Sequence, residues 1–172
     1  MADSLSAFDL RPGQMIGGYM LVSQLGGGAM GTVWTVEDQI GNRFAMKILR
    51  DSLSEDAPLA PDAQRDETAA RERLRREAMA LSRIRHPGVA AIVDMELDDA
   101  LAFIVTELID GENLREDVRR NGPYEGEYLE LLAEKLVSAV DAVHRAGIIH
   151  RDIKPTNVMV SSTGPVLVDF GI

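Results

Sequence analysis

Residues 148–171 read IIHRDIKPTNVMVSSTGPVLVDFG, and this stretch decides how the rest of the chain is interpreted. It holds two acidic residues, Asp152 and Asp169, together with Lys154 and Asn157. One Asp can accept a proton from a hydroxyl, while an Asn and a second Asp offer the hard oxygen ligands that Mg²⁺ prefers. A Lys beside them can hold phosphate as a point charge. Phosphoryl transfer requires such a set, because its catalysis consists mostly of positioning and charge stabilisation.

Between the two acidic residues the sequence predicts a strand, a turn and a second strand. Val158-Met159-Val160 and Val166-Leu167-Val168 are apolar runs, and the Ser-Ser-Thr-Gly segment that separates them is typical of a turn. His-Arg-Asp or Asp-Phe-Gly alone could occur in any loop. Both motifs in this order, joined by a predicted hairpin, are much less frequent by chance.

These motifs resemble the catalytic loop and the metal loop of the eukaryotic-type protein kinases. The catalytic-loop pattern H-R-D-x-x-x-x-N ends at Asn157, and D-F-G starts at Asp169. Lys154-Pro155 has the form found in Ser/Thr kinases, and the motifs look most like those of the bacterial Ser/Thr protein kinases. The resemblance covers roughly residues 16–172.

The resemblance implies an α+β, protein-kinase-like fold with two lobes. It predicts a flexible N-terminus over residues 1–15, a complete small lobe with the hinge over 16–109, and the first part of a helical large lobe over 110–172. The small lobe is expected to hold a five-stranded antiparallel sheet and one helix. In the large lobe, apolar residues at helical spacing predict a short helix containing Leu114 and Val118 and a long helix over residues 127–145.

A glycine-rich segment follows the first predicted strand. Read as G-x-G-x-x-G-x-V, it contains Gly26, Gly28, Gly31 and Val33. Glycine lets backbone N–H groups approach phosphate oxygens because no Cβ stands in the way. Taken alone, the pattern fits a plain glycine-rich hairpin equally well, and a Rossmann fold would need a helix after it. Residues 32–36 instead predict a strand, which favours the kinase loop.

A lysine and a glutamate complete the predicted small-lobe site. Lys47 ends the run Phe-Ala-Met-Lys, which matches the kinase strand motif V-A-I-K in residue type. Residues 67–85 predict a helix with an apolar stripe, and Glu77 lies on or beside that stripe. The resemblance implies that Glu77 pairs with Lys47, and Glu72 is the alternative.

Three lysines stand among the 18 basic residues of the chain: Lys47, Lys135 and Lys154. Two of them fall in the predicted phosphate-handling motifs. Apart from Lys135, the sequence elsewhere uses Arg for positive charge, so these two positions look selected for a compact ammonium group, although codon bias would give the same count.

The resemblance implies that the chain binds ATP and Mg²⁺, with Mn²⁺ as an alternative metal. Asp152 would accept the substrate hydroxyl proton, Lys154 would steady the γ-phosphate, and Lys47 would hold the α- and β-phosphates. Asn157 and Asp169 would bind the metal. Thr106 would be a small gatekeeper at the start of the hinge. The residues expected to contact the nucleotide are Leu25, Gly26, Gly27, Gly28, Ala29, Met30, Gly31, Thr32, Val33, Ala45, Lys47, Thr106, Glu107, Ile109 and Met159.

The composition excludes several other classes of protein. Hydrophobic residues make up 45% of the 172 residues and there is no Cys, which predicts a globular domain without disulfides or thiolate metal sites. A net charge of −10 argues against binding to nucleic acid or to anionic membranes. The sequence has no signal peptide and no apolar run approaching the length of a membrane span. We therefore expect a cytoplasmic location and no membrane contact within this stretch, leaving open an anchor after residue 172.

The expected partner is a protein substrate with a Ser or Thr hydroxyl, and a second kinase molecule is a candidate for trans-phosphorylation. The alternative function is a nucleotide-binding, pseudokinase-like or scaffolding module without transfer activity, and a small-molecule kinase of the same fold is a third. The activation segment and the later large-lobe helices of the family have no counterpart before Ile172. The 172 residues alone are therefore expected to be inactive.

Overall fold

The computed structural model of the chain describes residues 10–28, 31–49, 72–98 and 101–171. The described residues divide into two compact units. The first is formed by residues up to Ala78 and by Ile92–Glu107, and the second by Met79–Ala91 and the residues from Leu108 onward. Ala29 and Met30, both predicted to contact the nucleotide, lie outside the described ranges, as does the predicted helix start at residues 67–71.

Among the described residues, the first unit is built on an antiparallel sheet of six strands. Along the sheet the first four strands follow one another in chain order, and the sixth strand lies between the fourth and the fifth. Alternation along the fourth strand puts Met46 and Ile48 on one face, where they are buried with Trp34 and Val36 of the third. Each such side chain contributes about 2 kcal/mol on burial, so this cluster fixes the register of the sheet. The strands are β1 (Met15–Ile16), β2 (Tyr19–Gly28), β3 (Gly31–Glu37), β4 (Arg43–Leu49), β5 (Ile92–Glu96) and β6 (Phe103–Glu107).

The sheet has one strand more than the five predicted. The additional strand, β1, pairs with the start of β2 through a turn in which Gly17 has φ +56 and Gly18 has φ +86. Ile16 is buried in the core, and Leu10 packs against the same cluster. The predicted flexible segment over residues 1–15 is therefore too long, because residues 10–15 are attached to the sheet. A strand of two residues has no periodicity from which it could be predicted.

A helix over residues 72–81, here α1, carries the apolar stripe expected in this part of the chain. Ala78 and Leu81 are buried on one face, and Ile84 is buried just after the helix. The predicted helix extended to residue 85, but the N–H of Ile84 bonds to the carbonyl of Leu81 in a tight turn instead. The helix therefore ends one turn earlier than the periodicity suggested.

Two helices and a small three-stranded sheet form most of the second unit. α2 (Leu114–Asn121) begins at Asn113, whose side chain accepts the N–H of Glu116, and it ends at Gly122 with φ +90. α3 (Gly126–Arg145) is the long predicted helix. Its apolar stripe is buried toward the C-terminal end, whereas Leu129 at the other end is 48% exposed. The sheet has the order β7-β8-β9, with β7 (Glu112–Asn113), β8 (Val158–Ser161) and β9 (Gly164–Leu167).

The segment Met79–Ala91 belongs to the second unit, although the sequence placed it with the small lobe. Leu167 of β9 donates its N–H to Gly88 O at 2.8 Å and accepts the N–H of Ala90 at 3.0 Å. The Nε2 of His86 lies 3.0 Å from Ser138 Oγ on α3. These contacts join residues about 50 or more positions apart in the chain, so no local pattern predicts them.

Candidate active site

One carboxylate oxygen of Asp152 accepts two hydrogen bonds, and the other accepts none from a described residue. Its Oδ2 accepts hydrogen bonds from Lys154 Nζ at 2.7 Å and from Asn157 Nδ2 at 2.9 Å. The hydrogen bond from the Lys154 ammonium is the main cause that lowers the pKa of Asp152, which keeps the carboxyl ionised at neutral pH. No described residue donates to Oδ1, and the side chain is 41% exposed. An ionised carboxylate with an accessible oxygen meets the requirement for a general base.

Asn157 is buried and lies at the end of the short 3₁₀ turn Pro155–Asn157. The fixed φ of Pro155 suits the start of such a turn. The Nδ2 of Asn157 donates to the backbone oxygen and to Oδ2 of Asp152, each at 2.9 Å. Because both partners are acceptors only, the amide must present its nitrogen to them, and its Oδ1 faces away from Asp152. That oxygen is the atom expected to bind a metal.

Asp169 follows the end of β9 by two residues, and backbone hydrogen bonds fix the chain on both sides of it. Val168 donates its N–H to Asn157 O at 3.0 Å, and Gly171 donates its N–H to His150 O at 3.0 Å. Asp169 has φ +50, a left-handed conformation that is uncommon outside glycine. The surrounding hydrogen bonds hold this backbone in place, and strained residues of this kind cluster at functional sites.

These donors suit a magnesium ion that is delivered with a polyphosphate. Mg²⁺ requires octahedral oxygen coordination and usually binds protein through one or two carboxylates, completing its shell with water and substrate phosphates. Within the described ranges, no group of three or more His, Cys, Asp or Glu side chains forms a complete protein cage for a metal. The Oδ1 of Asn157 and the carboxylate of Asp169 therefore fit a metal whose other ligands come from phosphate and water.

His150 is a buried residue beside the catalytic loop. Its Nδ1 accepts the N–H of Asp152 at 3.3 Å, so its Nε2 must carry the proton and donate to Val168 O at 3.1 Å. The ring packs against Phe170, with 4.4 Å between the centroids. Burial lowers the pKa of His150, which favours this neutral tautomer. The neutral ring thus connects the backbone of Asp152 to the chain before Asp169.

The pH dependence of stability should report the neutral state of His150. Its pKa in the folded chain is below the usual 6.5, so the unfolded chain binds more protons at mildly acidic pH. Its stabilising contribution is complete above the unfolded pKa and is lost as the pH falls from about 6.5 through the folded pKa, with a slope of at most about 1.4 kcal/mol per pH unit. Denaturant melts between pH 5 and 8 measure this slope.

Two His variants separate this effect from general acid denaturation. His150→Gln should flatten the slope between pH 5 and 7, because the titrating group is gone. His144→Gln changes an exposed residue near the end of α3 and should keep the wild-type slope. Equal slopes in all three proteins would show that His150 is not the group responsible.

The glycine-rich segment forms the hairpin between β2 and β3 in the first unit. Gly28 pairs with Gly31 at its tip, and a strand, not a helix, follows. The structure therefore agrees with the strand predicted there and excludes a Rossmann turn. Trp34 donates its Nε1–H to Thr32 Oγ1 at 3.2 Å, so the only tryptophan of the chain is bonded to this hairpin.

Gly31 is the position in this hairpin where glycine is indispensable. It has φ +140, and an added Cβ would overlap the carbonyl oxygen of Ile48 on β4. Gly31→Ala should lower the free energy of unfolding by about 2 kcal/mol or more, since strain and a backbone clash act together. Gly26→Ala is the matched control, because a Cβ there meets nothing within 4 Å. Denaturant melts showing equal losses for the two variants would contradict this account.

Lys47 and Glu77 both lie in the first unit, and both are partly buried. On β4, Lys47 stands between the buried residues Met46 and Ile48 and pairs with Val33 across the sheet. Glu72, the alternative to Glu77, is exposed on α1. The difference in burial favours Glu77 as the partner of a partly buried lysine, since a charge removed from water requires a counter-charge.

The remaining residues of the predicted nucleotide site fall in both units. Ala45 on β4 pairs with Thr106 on β6, which places the predicted gatekeeper beside the strand of Lys47. Leu25 and Glu107 are exposed members of the first unit. In the second unit, Ile109 and Met159 are partly buried, and Met159 pairs with Asn113 across β7 and β8.

Comparison with known families decides the classification of the chain. Residues 19–172 match the family described as "Protein kinase domain". The chain belongs to the protein kinase domain family. The fold expected from the sequence is confirmed by this match and by the solved structures described next.

Two curated relatives of this kinase domain come from bacteria. One is the serine/threonine-protein kinase PkaA of Streptomyces coelicolor, 35% identical over 170 residues, a match that covers 90% of this chain and 29% of PkaA. The other is the serine/threonine-protein kinase PrkC of Bacillus subtilis, 36% identical over 158 residues, covering 91% of this chain and 23% of PrkC. The chain thus spans less than a third of the length of these relatives.

A solved kinase domain shows the same fold. The Mycobacterium tuberculosis PknI kinase domain is 30% identical and has a TM-score of 0.73, covering 95% of this chain and 62% of that one. Across the part of the chain that the structure describes, no helix has the length and apolarity needed to cross a membrane.

One position beside the predicted nucleotide site of the kinase domain was not predicted. Gly111 has φ +147, and an added Cβ would overlap the carbonyl oxygen of Val160, the residue after Met159. A glycine is therefore required where β7 meets β8. The sequence carried a signal for it, because Asp110-Gly111 indicates a turn, but not for its contact with a strand about 50 residues later.

Proposed function

We propose that the protein is a Ser/Thr protein kinase that transfers the γ-phosphoryl group of ATP to a protein hydroxyl. The observation that carries this proposal is the arrangement around Asp152, whose Oδ2 is held by Lys154 and Asn157 while Oδ1 stays open. The kinase relatives named above support the same activity, and their Ser/Thr class supports the specificity.

The proposed reaction assigns one role to each residue of the catalytic loop. Asp152 accepts the proton of the substrate hydroxyl as the oxygen forms its bond to the γ-phosphorus, and the bond from that phosphorus to the bridging oxygen breaks to release ADP. Lys154, already 2.7 Å from Asp152, provides positive charge for the transferring group. Asn157 and Asp169 would hold Mg²⁺, which neutralises charge on the phosphates when bound.

Residues of the first unit would bind the nucleotide. Lys47 would hold the α- and β-phosphates, Glu77 would orient Lys47, and the glycine hairpin would present backbone N–H groups to the phosphates. The partial burial of both Lys47 and Glu77 supports these roles. We also propose ATP with Mg²⁺ as the physiological pair, with Mn²⁺ able to replace the metal, because both ions accept hard oxygen ligands.

The proposed partners follow from this chemistry. The main partner is a protein with an accessible Ser or Thr, and a second copy of the kinase is a candidate substrate for trans-phosphorylation. We propose a cytoplasmic location for the domain, since its co-substrate ATP is supplied there.

The experiment that tests this function measures both binding and transfer in the full-length protein. Quenching of Trp34 fluorescence reports nucleotide binding, because Trp34 is bonded to Thr32 in the glycine hairpin. Transfer is followed with γ-labelled ATP and a generic protein substrate, with identification of the phosphorylated amino acid. We expect label on Ser or Thr. Binding without any transfer would support the scaffolding alternative and reject the kinase.

Lys47→Met should lower this transfer roughly 100-fold, as expected when one charged group is removed from a developing phosphate charge. Arg43→Met is the matched control, because Arg43 is an exposed cation on the same strand whose ion-pair partner among the described residues is Glu37. Transfer by Lys47→Met equal to that of Arg43→Met would remove Lys47 from the proposed site.

A further inference from the structure

Lys135 on α3 makes a contact that its position on a helix surface does not require. Its Nζ donates a 2.9 Å hydrogen bond to the backbone oxygen of Thr163, in the turn between β8 and β9. Among the described residues it forms no ion pair with a carboxylate, so it does not act as one half of a surface salt bridge. The acceptor is a backbone atom 28 positions away, so this hydrogen bond joins α3 to the turn between β8 and β9.

The lysine stem lies against Gly164 in this turn. Gly164 has φ +125, and an added Cβ would lie 2.9 Å from both Cδ and Nζ of Lys135. The slender, unbranched stem therefore passes directly over the backbone of the turn. The planar guanidinium of arginine is wider than an ammonium group. The narrow ammonium group of Lys135, one of three lysines among the 18 basic residues, suits this contact.

The turn itself is closed by its own side chains. Ser161 Oγ donates to Gly164 O at 2.9 Å and accepts the N–H of Thr163 at 3.2 Å. These bonds stiffen the turn, so a force applied at Thr163 moves the whole end of the hairpin. The contact with Lys135 joins that end of the hairpin to α3.

The hairpin carries both predicted metal ligands at its open end. Asn157 directly precedes β8, Asp169 follows β9 by two residues, and the two chains are joined there by the bond from Val168 to Asn157. Each strand has four residues at about 3.3 Å per residue, so the turn lies about 13 Å along the hairpin from Asn157. A displacement of the turn is therefore expected to move Asn157 and Asp169, which lie at the other end of the hairpin.

We propose that Lys135 is a positioning residue for phosphoryl transfer, fixing the β8–β9 turn to α3 so that Asn157 and Asp169 keep the separation that metal binding needs. This inference rests on the proposed function. Asp152 and Lys154 lie outside the hairpin, and Asn157 links Asp152 to it through two hydrogen bonds, so we expect the loss of Lys135 to change the metal requirement more than proton acceptance.

The test uses Lys135→Met, which keeps the stem and removes the donor. Without metal, hydrogen exchange of the hairpin amides in residues 161–168 should accelerate about fivefold, the effect of losing one hydrogen bond, while exchange in α2 stays unchanged. In the full-length protein the Mg²⁺ concentration for half-maximal transfer should rise severalfold at unchanged thermal midpoint. Arg119→Met removes an exposed cation of α2, whose contact with Glu116 is 3.9 Å, and should match wild type in both measurements.

Lys135→Arg completes the set, because it restores a donor with a bulkier head. It should recover part of the lost protection and part of the metal affinity. Wild-type exchange in Lys135→Met would overturn the proposal, and so would a lower thermal midpoint with an unchanged Mg²⁺ requirement, which indicates a purely structural role. Faster hairpin exchange in a protein whose wild type transfers no phosphate would reject the kinase function and, with it, the catalytic part of this inference.

Discussion

Asp152→Asn is expected to lower turnover about 10³-fold while the affinity for ATP stays within about twofold of wild type. Asparagine has the shape of aspartate, so its oxygen can still accept the hydrogen bonds from Lys154 and Asn157 that hold the loop. It has no basic oxygen to receive the hydroxyl proton, and general bases typically contribute 10²–10⁴-fold to rate. The loss should therefore appear in kcat and not in nucleotide binding.

Steady-state kinetics and calorimetric titration with ATP separate these two quantities for Asp152→Asn. Asp141→Asn serves as the control, because Asp141 is an exposed residue of α3 whose ion-pair partner among the described residues is Arg145. It should resemble wild type in both measurements. A tenfold or larger loss of ATP affinity in Asp152→Asn, with kcat little changed, would assign Asp152 to binding and leave the general base unidentified.

The site elements that the sequence predicted well are the local ones. Asp152, Lys154 and Asn157 lie within six residues, and a 3₁₀ turn started by Pro155 brings their side chains into hydrogen-bonding distance. Residue types and spacing therefore specified the cluster. The roles of these residues stay predictions, since the hydrogen bonds describe the resting arrangement and not a reaction.

Parts of the fold were also predictable from local signals. The short helix predicted around Leu114 and Val118 is present as α2, and it ends at Gly122, where a glycine with positive φ can terminate a helix without strain. The strand β1 and the membership of Met79–Ala91 were not predictable. β1 is only two residues long and shows no periodicity, while Met79–Ala91 is placed by backbone bonds to Leu167, which form with any residue type and leave no sequence pattern.

The contact between Lys135 and Thr163 is a further feature that the sequence did not predict. A lysine on a helix is usually a solvated charge, and the serine-rich segment indicated only a turn. The hydrogen bond between them depends on how α3 packs against β9, which is a property of the folded unit. The low lysine count was the only sequence feature that set Lys135 apart.

Asp169→Asn is the second substitution with a large expected effect. It removes the negative charge from one of the two predicted metal ligands but keeps an oxygen atom in place. Asparagine tolerates the left-handed conformation better than most residues, so φ +50 at this position should be retained and the fold preserved. Asn157, the other predicted ligand, is neutral. In the variant, neither of the two residues would provide a negatively charged oxygen to the metal. Hard divalent cations depend on such oxygens.

We therefore expect Asp169→Asn to weaken ATP binding roughly 10- to 100-fold in the presence of Mg²⁺, and to leave binding unchanged in the presence of EDTA. Turnover should fall about 10³-fold, since the developing charge on the phosphates loses its counter-ion. Trp34 fluorescence and calorimetry measure the binding, and Asp98→Asn, which changes an exposed carboxylate paired with Arg75, is the control.

A MgATP affinity equal to that of wild type would mean that Asp169 is not a metal ligand. An equal loss of affinity with and without Mg²⁺ would mean that the substitution had disturbed the nucleotide site itself and not a metal ligand.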